Sequence, residues 1–186
     1  MVSEEVKEFA LKTARRAIDD WVMEKEMLIL SEYPDFFKEK RGIFVTIHKG
    51  PNKDLRGCIG YPEPIKPLID GLIDAAIQST RDPRFKELDT SELDDIEIEI
   101  SILTKPELIE VTSPEEYPQK VELGKDGLIA ESGVNRGLLL PQVATEHQMN
   151  AEEFLDSVCA KADLSEDSWK KGNVRIYKFQ ADVFSE

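Results

Sequence analysis

The segment from residue 96 to residue 102 constrains the fold most strongly. It reads Ile-Glu-Ile-Glu-Ile-Ser-Ile, so apolar and polar residues alternate without interruption. Because successive side chains of a β-strand point to opposite faces, this pattern predicts a strand with one buried and one polar face. Such a strand is typical of an antiparallel sheet that is covered on one side. Glu97 and Glu99 share the polar face, where they form either a solvated surface or an acid–base pair.

Two pairs of strand-like segments predict β-hairpins of similar sequence. Residues 42–48 and 55–61 are rich in β-branched and aromatic side chains, and turn-forming residues separate them. Residues 127–130 and 135–139 repeat this arrangement, and both second strands contain the dipeptide Arg-Gly. Each hairpin leads through a proline to a helix and then to another strand. We therefore predict duplicated β-hairpin–helix–strand units in an antiparallel α+β fold with flanking helices.

Helices are predicted where apolar residues recur every three or four positions. Such stripes occupy residues 4 to about 29 and the segment that begins near Pro67. A third helix follows Asn150, which lies three residues before Glu153 and is therefore placed to form a capping box. In this third helix, Cys159 falls on the apolar stripe and is expected to be a small core residue.

The last part of the chain and its central segment set the predicted organisation. Residues 174–184 are predicted to form one closing strand. Residues 104–120 contain three prolines among many acidic side chains, which favours a loop-rich crossover. We therefore expect two approximate subdomains, residues 1–110 and residues 111–186.

Residues 55–60, Leu-Arg-Gly-Cys-Ile-Gly, are the most distinctive candidate site. Cys58 lies between Gly57 and Gly60, which leave little side-chain bulk and would let another molecule approach the thiol. Arg56 supplies a positive charge that favours thiolate. The alternative is a buried cysteine in a strand kinked by glycine. Strand alternation predicts that Arg56 and Cys58 share one face, opposite Leu55 and Gly57.

The sequence does not set the register of the first hairpin. The position of His48 relative to Cys58 therefore stays open, and so does a Cys–His pair.

A second candidate cluster spans residues 81–85, Arg-Asp-Pro-Arg-Phe. In a structural interpretation, Asp82 caps the turn and pairs with an arginine. In a functional interpretation, Asp82 and Arg84 contribute to a site that binds an anionic ligand in a bidentate manner.

Composition excludes several classes of function. Acidic residues exceed basic ones by 38 to 24, which gives a net charge of −14 and makes nucleic-acid binding unfavourable. Two cysteines and two histidines suggest neither a disulfide framework nor a metal site, and no cofactor is indicated. The first residues lack the pattern of a signal peptide, and no apolar run is long enough to span a bilayer. We expect a cytoplasmic protein with no membrane association.

Together, these segments resemble the AMMECR1 family, whose signature is the hexapeptide found here at residues 55–60. Met149 is a departure, because the family usually carries tryptophan before the corresponding helix. The resemblance covers nearly the whole chain and includes residues 42–46, 81–85, 100–103, 140–143, 153–155 and 161–162.

The resemblance implies a single AMMECR1-like domain over residues 1–186, with two subdomains and a curved, barrel-like antiparallel sheet. In microbes, members of this family often occur with Memo-like and radical-SAM proteins, which implies a functional association with them. The family brings no established activity.

Two hypotheses about function follow. In the first, the protein is an enzyme or an enzyme component that acts on a small anionic substrate: Cys58 is the nucleophile, Arg56 stabilises its thiolate, and Arg84 orients the anionic group. In the second, the protein is a binding or scaffold module for a small molecule or protein partner. There, Gly57 and Gly60 permit close approach, while Arg56, Arg84 and Gln142 make polar contacts.

Overall fold

The structure, a computed structural model, describes residues 2–186 and divides into two compact units. The first unit contains the chain up to Leu103 together with Asp182–Glu186, and the second contains Thr104–Ala181. In chain order, the helices and strands are α1 (Glu4–Glu24), β1 (Ile43–Lys49), β2 (Asp54–Tyr61), α2 (Leu68–Ser79), β3 (Ile96–Leu103), β4 (Glu107–Leu108), β5 (Gly127–Ser132), β6 (Asn135–Leu139), α3 (Pro141–Glu146), α4 (Ala151–Lys161), β7 (Arg175–Phe179) and β8 (Ala181–Ser185).

The first unit is a four-stranded sheet covered on one face by α1 and α2. Its strand order is β2-β1-β3-β8, and β1 pairs antiparallel with both β2 and β3. The apolar positions of β1 and β3 are buried, as their alternation predicts. On α1, buried alanines lie along the stripe that packs into this core, and their small side chains permit close packing. The helix ends at Glu24 because Lys25 adopts a left-handed conformation with φ of 60°.

The second unit is a four-stranded sheet of order β4-β7-β5-β6 with its own core. α4 packs on β5 and β6 and buries Phe154 and Leu155. The predicted capping box is confirmed: the Asn150 side chain accepts the Glu153 N–H, and the Glu153 carboxylate accepts the Asn150 N–H. Trp169 is buried in the same core, and its indole N–H donates to Asp156.

The predicted α+β class is confirmed, since both sheets are antiparallel and helices pack against them. Across residues 2–186, neither sheet closes into a barrel. The prediction of one closing strand over residues 174–184 is wrong. The strand is interrupted at Gln180. Before it, β7 pairs with β5 of the second unit, and after it, β8 lies beside β3 of the first.

Candidate functional site

The register of the first sheet brings Cys58 into a row of three side chains. Cys58 of β2 lies opposite Thr46 of β1, and Thr46 lies opposite Glu99 of β3. The alternate residues of β1 and β3 are buried on the face covered by the helices. The Cys58 row therefore occupies the other face of the sheet, and all three of its members are half-buried.

A β-bulge sets the position of Arg56. Ile47 pairs with Gly57, but the next residue of β1, His48, pairs with Leu55, so Arg56 is an extra residue in β2. The predicted alternation is therefore wrong for Leu55, which lies opposite His48 on the Cys58 face. The register also settles the open question about His48, which shares this face with Cys58.

The thiol and the imidazole each have defined neighbours. The Thr46 hydroxyl donates to Cys58 Sγ over 3.3 Å. Nδ1 of His48 lies 3.0 Å from the carbonyl oxygen of Lys53. Because a carbonyl only accepts, Nδ1 carries the proton, and neutral His48 presents Nε2 as an acceptor. Nε2 lies 3.9 Å from Oε1 of Glu99, which is near enough for an ion pair but too far for a hydrogen bond.

Asp82 and Arg84 fix the backbone of Cys58 at the edge of β2. The Cys58 N–H donates to Oδ2 of Asp82 over 2.9 Å, and the Arg84 backbone N–H and guanidinium donate to the same carboxylate. Only 2% of Asp82 is exposed. Hydrogen bonding by Arg84 holds the pKa of Asp82 well below its usual range despite burial, and the Cys58 N–H contributes in the same direction.

Arg84 binds the same carboxylate that accepts the Cys58 N–H. The pKa of Arg84 is raised, mainly by its hydrogen bond to Asp82. The Arg84 side chain is also exposed to solvent. The structure therefore holds an exposed guanidinium on the carboxylate that binds the Cys58 backbone, where an anionic group could reach it.

Arg56 is bound to Glu92 by two hydrogen bonds. Its Nε and one terminal nitrogen lie 3.0 and 2.9 Å from the two Glu92 oxygens, and Lys49 donates to the same carboxylate over 2.7 Å. These contacts, chiefly the one from Arg56, lower the pKa of Glu92 to about 2. Arg56 therefore joins the bulge of β2 to the short helical segment Thr90–Asp95.

The glycines of the motif are packed by the chain itself. A Cβ atom on Gly57 would overlap the carbonyl oxygen of Ser79 at the end of α2. A Cβ atom on Gly60 would overlap the ring of Phe44 and the carbonyl oxygen of Ile43. The space that each glycine leaves is thus used for packing within the first unit.

The remaining candidates lie in the second unit. Gln142 is exposed in the first turn of α3, and its carbonyl oxygen accepts the Thr145 hydroxyl. Cys159 is fully buried in α4, and burial raises the pKa of its thiol to about 11. Among the residues of the predicted site, the structure brings together Cys58, Asp82 and Arg84, since the Asp82 carboxylate binds both the Cys58 N–H and the Arg84 guanidinium.

Sequence reasoning missed Thr46 as a neighbour of the thiol and left the roles of His48 and Glu99 open. These positions depend on the register between β1 and β2, which the sequence does not reveal. The bulge at Arg56 shifts this register between Ile47 and His48. Across residues 2–186, no three Cys, His, Asp or Glu side chains are arranged to hold a metal ion. Within the same range, no helix combines the length and the apolar character needed to cross a bilayer.

The chain is similar in sequence and in structure to proteins of several archaea. The chain is 51% identical over 179 residues to protein MJ0810 of Methanocaldococcus jannaschii, which covers 96% of this chain and 89% of that relative. It is 52% identical over 178 residues to a protein of Methanothermobacter thermautotrophicus, covering 95% and 92% of the two chains. The crystal structure of the uncharacterized protein PH0010 from Pyrococcus horikoshii is similar, with a TM-score of 0.77 and 44% identity, over 100% of this chain and 93% of that one.

A sequence profile of the AMMECR1 family matches residues 11–184, which include β1, β2 and both units of the structure. This match and the long similarity to the archaeal relatives agree with the resemblance carried by residues 55–60. The chain belongs to the AMMECR1 family.

Proposed function

We propose that the protein is an enzyme, or the thiol-bearing component of one, that acts on a small anionic substrate through Cys58. The observation that supports this most is the register of β1, β2 and β3. It sets Cys58, Thr46 and Glu99 in one row and His48 on the same face of the sheet. A nucleophile, a base and a group that stabilises the protonated base are the parts that thiol catalysis requires.

In this proposal, the thiol proton of Cys58 passes through one water to Nε2 of His48 as sulfur attacks an electrophilic carbon of the substrate. The carbon–sulfur bond forms as the bond from that carbon to its leaving group breaks, and the leaving group departs with the bonding electrons and takes the proton back from the imidazolium. Glu99 stabilises the imidazolium that forms. The Thr46 hydroxyl stabilises negative charge on sulfur by its hydrogen bond, and Arg84 orients the anionic group of the substrate. Arg56 acts indirectly, through its clamp on Glu92.

The second unit offers an internal comparison for the role of the thiol. We infer that the two units are duplicated, since β2-β1-β3 and β6-β5-β7 have the same order. Gly137 of β6 packs against the end of α4 as Gly57 of β2 packs against the end of α2. The residue after Gly137 is Leu138, whereas Cys58 follows Gly57. The corresponding position of the second unit thus holds no thiol, so a chemical role for Cys58 would be specific to the first unit.

The alternative is a non-catalytic binding or scaffold module in the cytoplasm that acts with protein partners, such as Memo-like and radical-SAM proteins. This alternative is favoured by the contacts of Arg56 and Asp82. Arg56 binds Glu92 and Asp82 binds Arg84, so both charged side chains already have partners within the chain. In this case Arg84 and Gln142 would contact the partner, and the thiol would have no chemical role.

Two alkylating reagents of similar size test the enzyme proposal. The rates of reaction of Cys58 with iodoacetate and with iodoacetamide are measured in a Cys159→Ala background, and their ratio is compared with that for free cysteine. We expect Arg84 to raise the ratio, because its guanidinium attracts the carboxylate of iodoacetate but not the neutral amide.

The matched variants are Arg84→Gln and Arg16→Gln. Arg16 is an exposed arginine of α1 that pairs with Asp20. The ratio is expected to fall several-fold in Arg84→Gln and to stay unchanged in Arg16→Gln. Equal ratios in all three proteins would contradict an anion-binding role for Arg84, and failure of both reagents to reach Cys58 would favour the scaffold alternative.

A further inference from the structure

A cleft on the helical side of the first unit is not used by the thiol site. Its volume is about 400 Å³. One side is formed by α2 through Ile69 and Ile73, and the other by the irregular segment that follows α1. The remaining lining residues are Met27, Leu28, Ile29, Leu30, Tyr33, Lys66, Asp70 and Asp74. Cys58 faces the opposite side of the sheet, so the cleft is a separate feature.

The wall of this cleft exposes large apolar side chains. Ile29 is 86% exposed and Met27 is 63% exposed, although both lie beside the buried Leu28. Ile65, next to the lining residue Lys66, is also exposed. Adjacent exposed apolar residues contribute little to the stability of the unit itself and mark interaction sites on protein surfaces. Methionine suits such a surface, because its flexible side chain adapts to a partner.

The charges at the cleft favour a basic partner. Lys66 and Tyr61 both donate to Asp74 over 2.7 Å, and the Lys66 ammonium lies 3.9 Å from the centre of the Tyr61 ring. Lys66 and Asp74 therefore compensate each other. Asp70 is exposed one turn earlier on α2, and among residues 2–186 it has no ion-pair partner. The cleft thus carries a net negative charge.

The residues around the cleft also carry negative charge. Glu26 and Glu32 are exposed on the segment that forms the apolar wall. The protein as a whole carries a net charge of −14, which attracts basic partners and repels acidic ones over distance. A neutral apolar ligand would leave Asp70 unused, and an acidic one would be repelled by it.

We propose that this cleft binds a segment of another protein in which a large apolar side chain is flanked by lysine or arginine. The apolar side chain enters between Ile29 and Ile73, and the basic residue pairs with Asp70. This binding is independent of Cys58, and it holds whether the thiol is catalytic or not.

A random dodecapeptide library displayed on phage is the probe for this proposal. Peptides are selected on the wild-type protein, and their dissociation constants are measured for the variants Ile29→Ser, Asp70→Lys and Val134→Ser. Val134 is 99% exposed at the turn between β5 and β6, so Val134→Ser is a matched control for removing an exposed apolar side chain without a change of charge.

The selected peptides are expected to combine a large apolar residue with neighbouring lysine or arginine. They should bind Ile29→Ser and Asp70→Lys at least about tenfold more weakly and bind Val134→Ser equally well. Absence of enrichment, acidic consensus peptides, or binding that Ile29→Ser does not weaken would overturn the proposal. Light scattering that shows a wild-type dimer and an Ile29→Ser monomer would also overturn it, since the occupant would then be a second copy.

Discussion

At the scale of single residues, the two cysteines differ in what surrounds them. Cys58 is half-buried on the sheet face that points away from α1 and α2, and a hydroxyl donates to its sulfur. Cys159 is fully buried against apolar side chains of the second core. Serine in place of Cys58 can bond Thr46 and reach water, whereas serine in place of Cys159 would bury a hydroxyl in an apolar core.

We therefore expect serine to affect the stability of the protein differently at the two positions. Cys58→Ser should change the free energy of unfolding by no more than about 0.5 kcal/mol. Cys159→Ser should lower it by about 1–3 kcal/mol because its hydroxyl loses hydrogen bonds to water on burial. Urea unfolding measures both values. An equal loss in the two variants would mean that Cys58 is mainly a packing residue.

At the scale of secondary-structure elements, the sequence allowed the hairpins, the capping box at Asn150 and the alternation of β3 to be predicted. These features depend on residues close together in the chain. The bulge at Arg56 could not be predicted, because it depends on how β2 pairs with β1 and on the contact between Arg56 and Glu92. The constellation around Cys58 was missed for the same reason, since Thr46 and Glu99 come from neighbouring strands.

The contact between β2 and α2 gives a second prediction. Gly57→Ala should lower the free energy of unfolding by about 1–3 kcal/mol, because its Cβ atom would overlap the backbone of Ser79. Gly71→Ala is the control within α2. Its Cβ atom would lie 3.1 Å from the Ile43 side chain, and alanine favours helix, so the net change should stay within about 1 kcal/mol. Chemical denaturation compares the two, and an equally mild effect of Gly57→Ala would contradict the packing described.

The clamp between Arg56 and Glu92 predicts a dependence of stability on pH. The pKa of Glu92 is lowered from 4.5 to about 2 in the folded protein, so its ionised form favours folding. This contribution is fully present above about pH 4.5 and is lost as the pH falls towards about 2. Glu92→Gln should thus cost about 1–3 kcal/mol at neutral pH, and the cost should become small near pH 2 and disappear below it. Thermal unfolding across this range measures the difference, and a pH-independent difference would exclude the ionic clamp.

At the scale of the whole molecule, the α+β class could be predicted because the strands come in hairpins, whose two strands pair antiparallel, and a helix follows each hairpin. The assignment of the last two strands to different sheets could not be predicted. Residues 174–184 have the composition of one strand, yet β7 belongs to the sheet of the second unit and β8 to that of the first. Local sequence carries no signal for this change of partner, because both strands have the same period.

The proposed chemistry depends on Cys58 being an accessible thiol with a base on the same sheet face. Alkylation of the folded protein by iodoacetamide near neutral pH, resolved by peptide mass spectrometry, tests this most directly. We predict that Cys58 is labelled without denaturant, that His48→Gln slows its labelling several-fold, and that Cys159 is labelled only after unfolding. Labelling of Cys58 only in denaturant would contradict the account and leave the motif as a packing element.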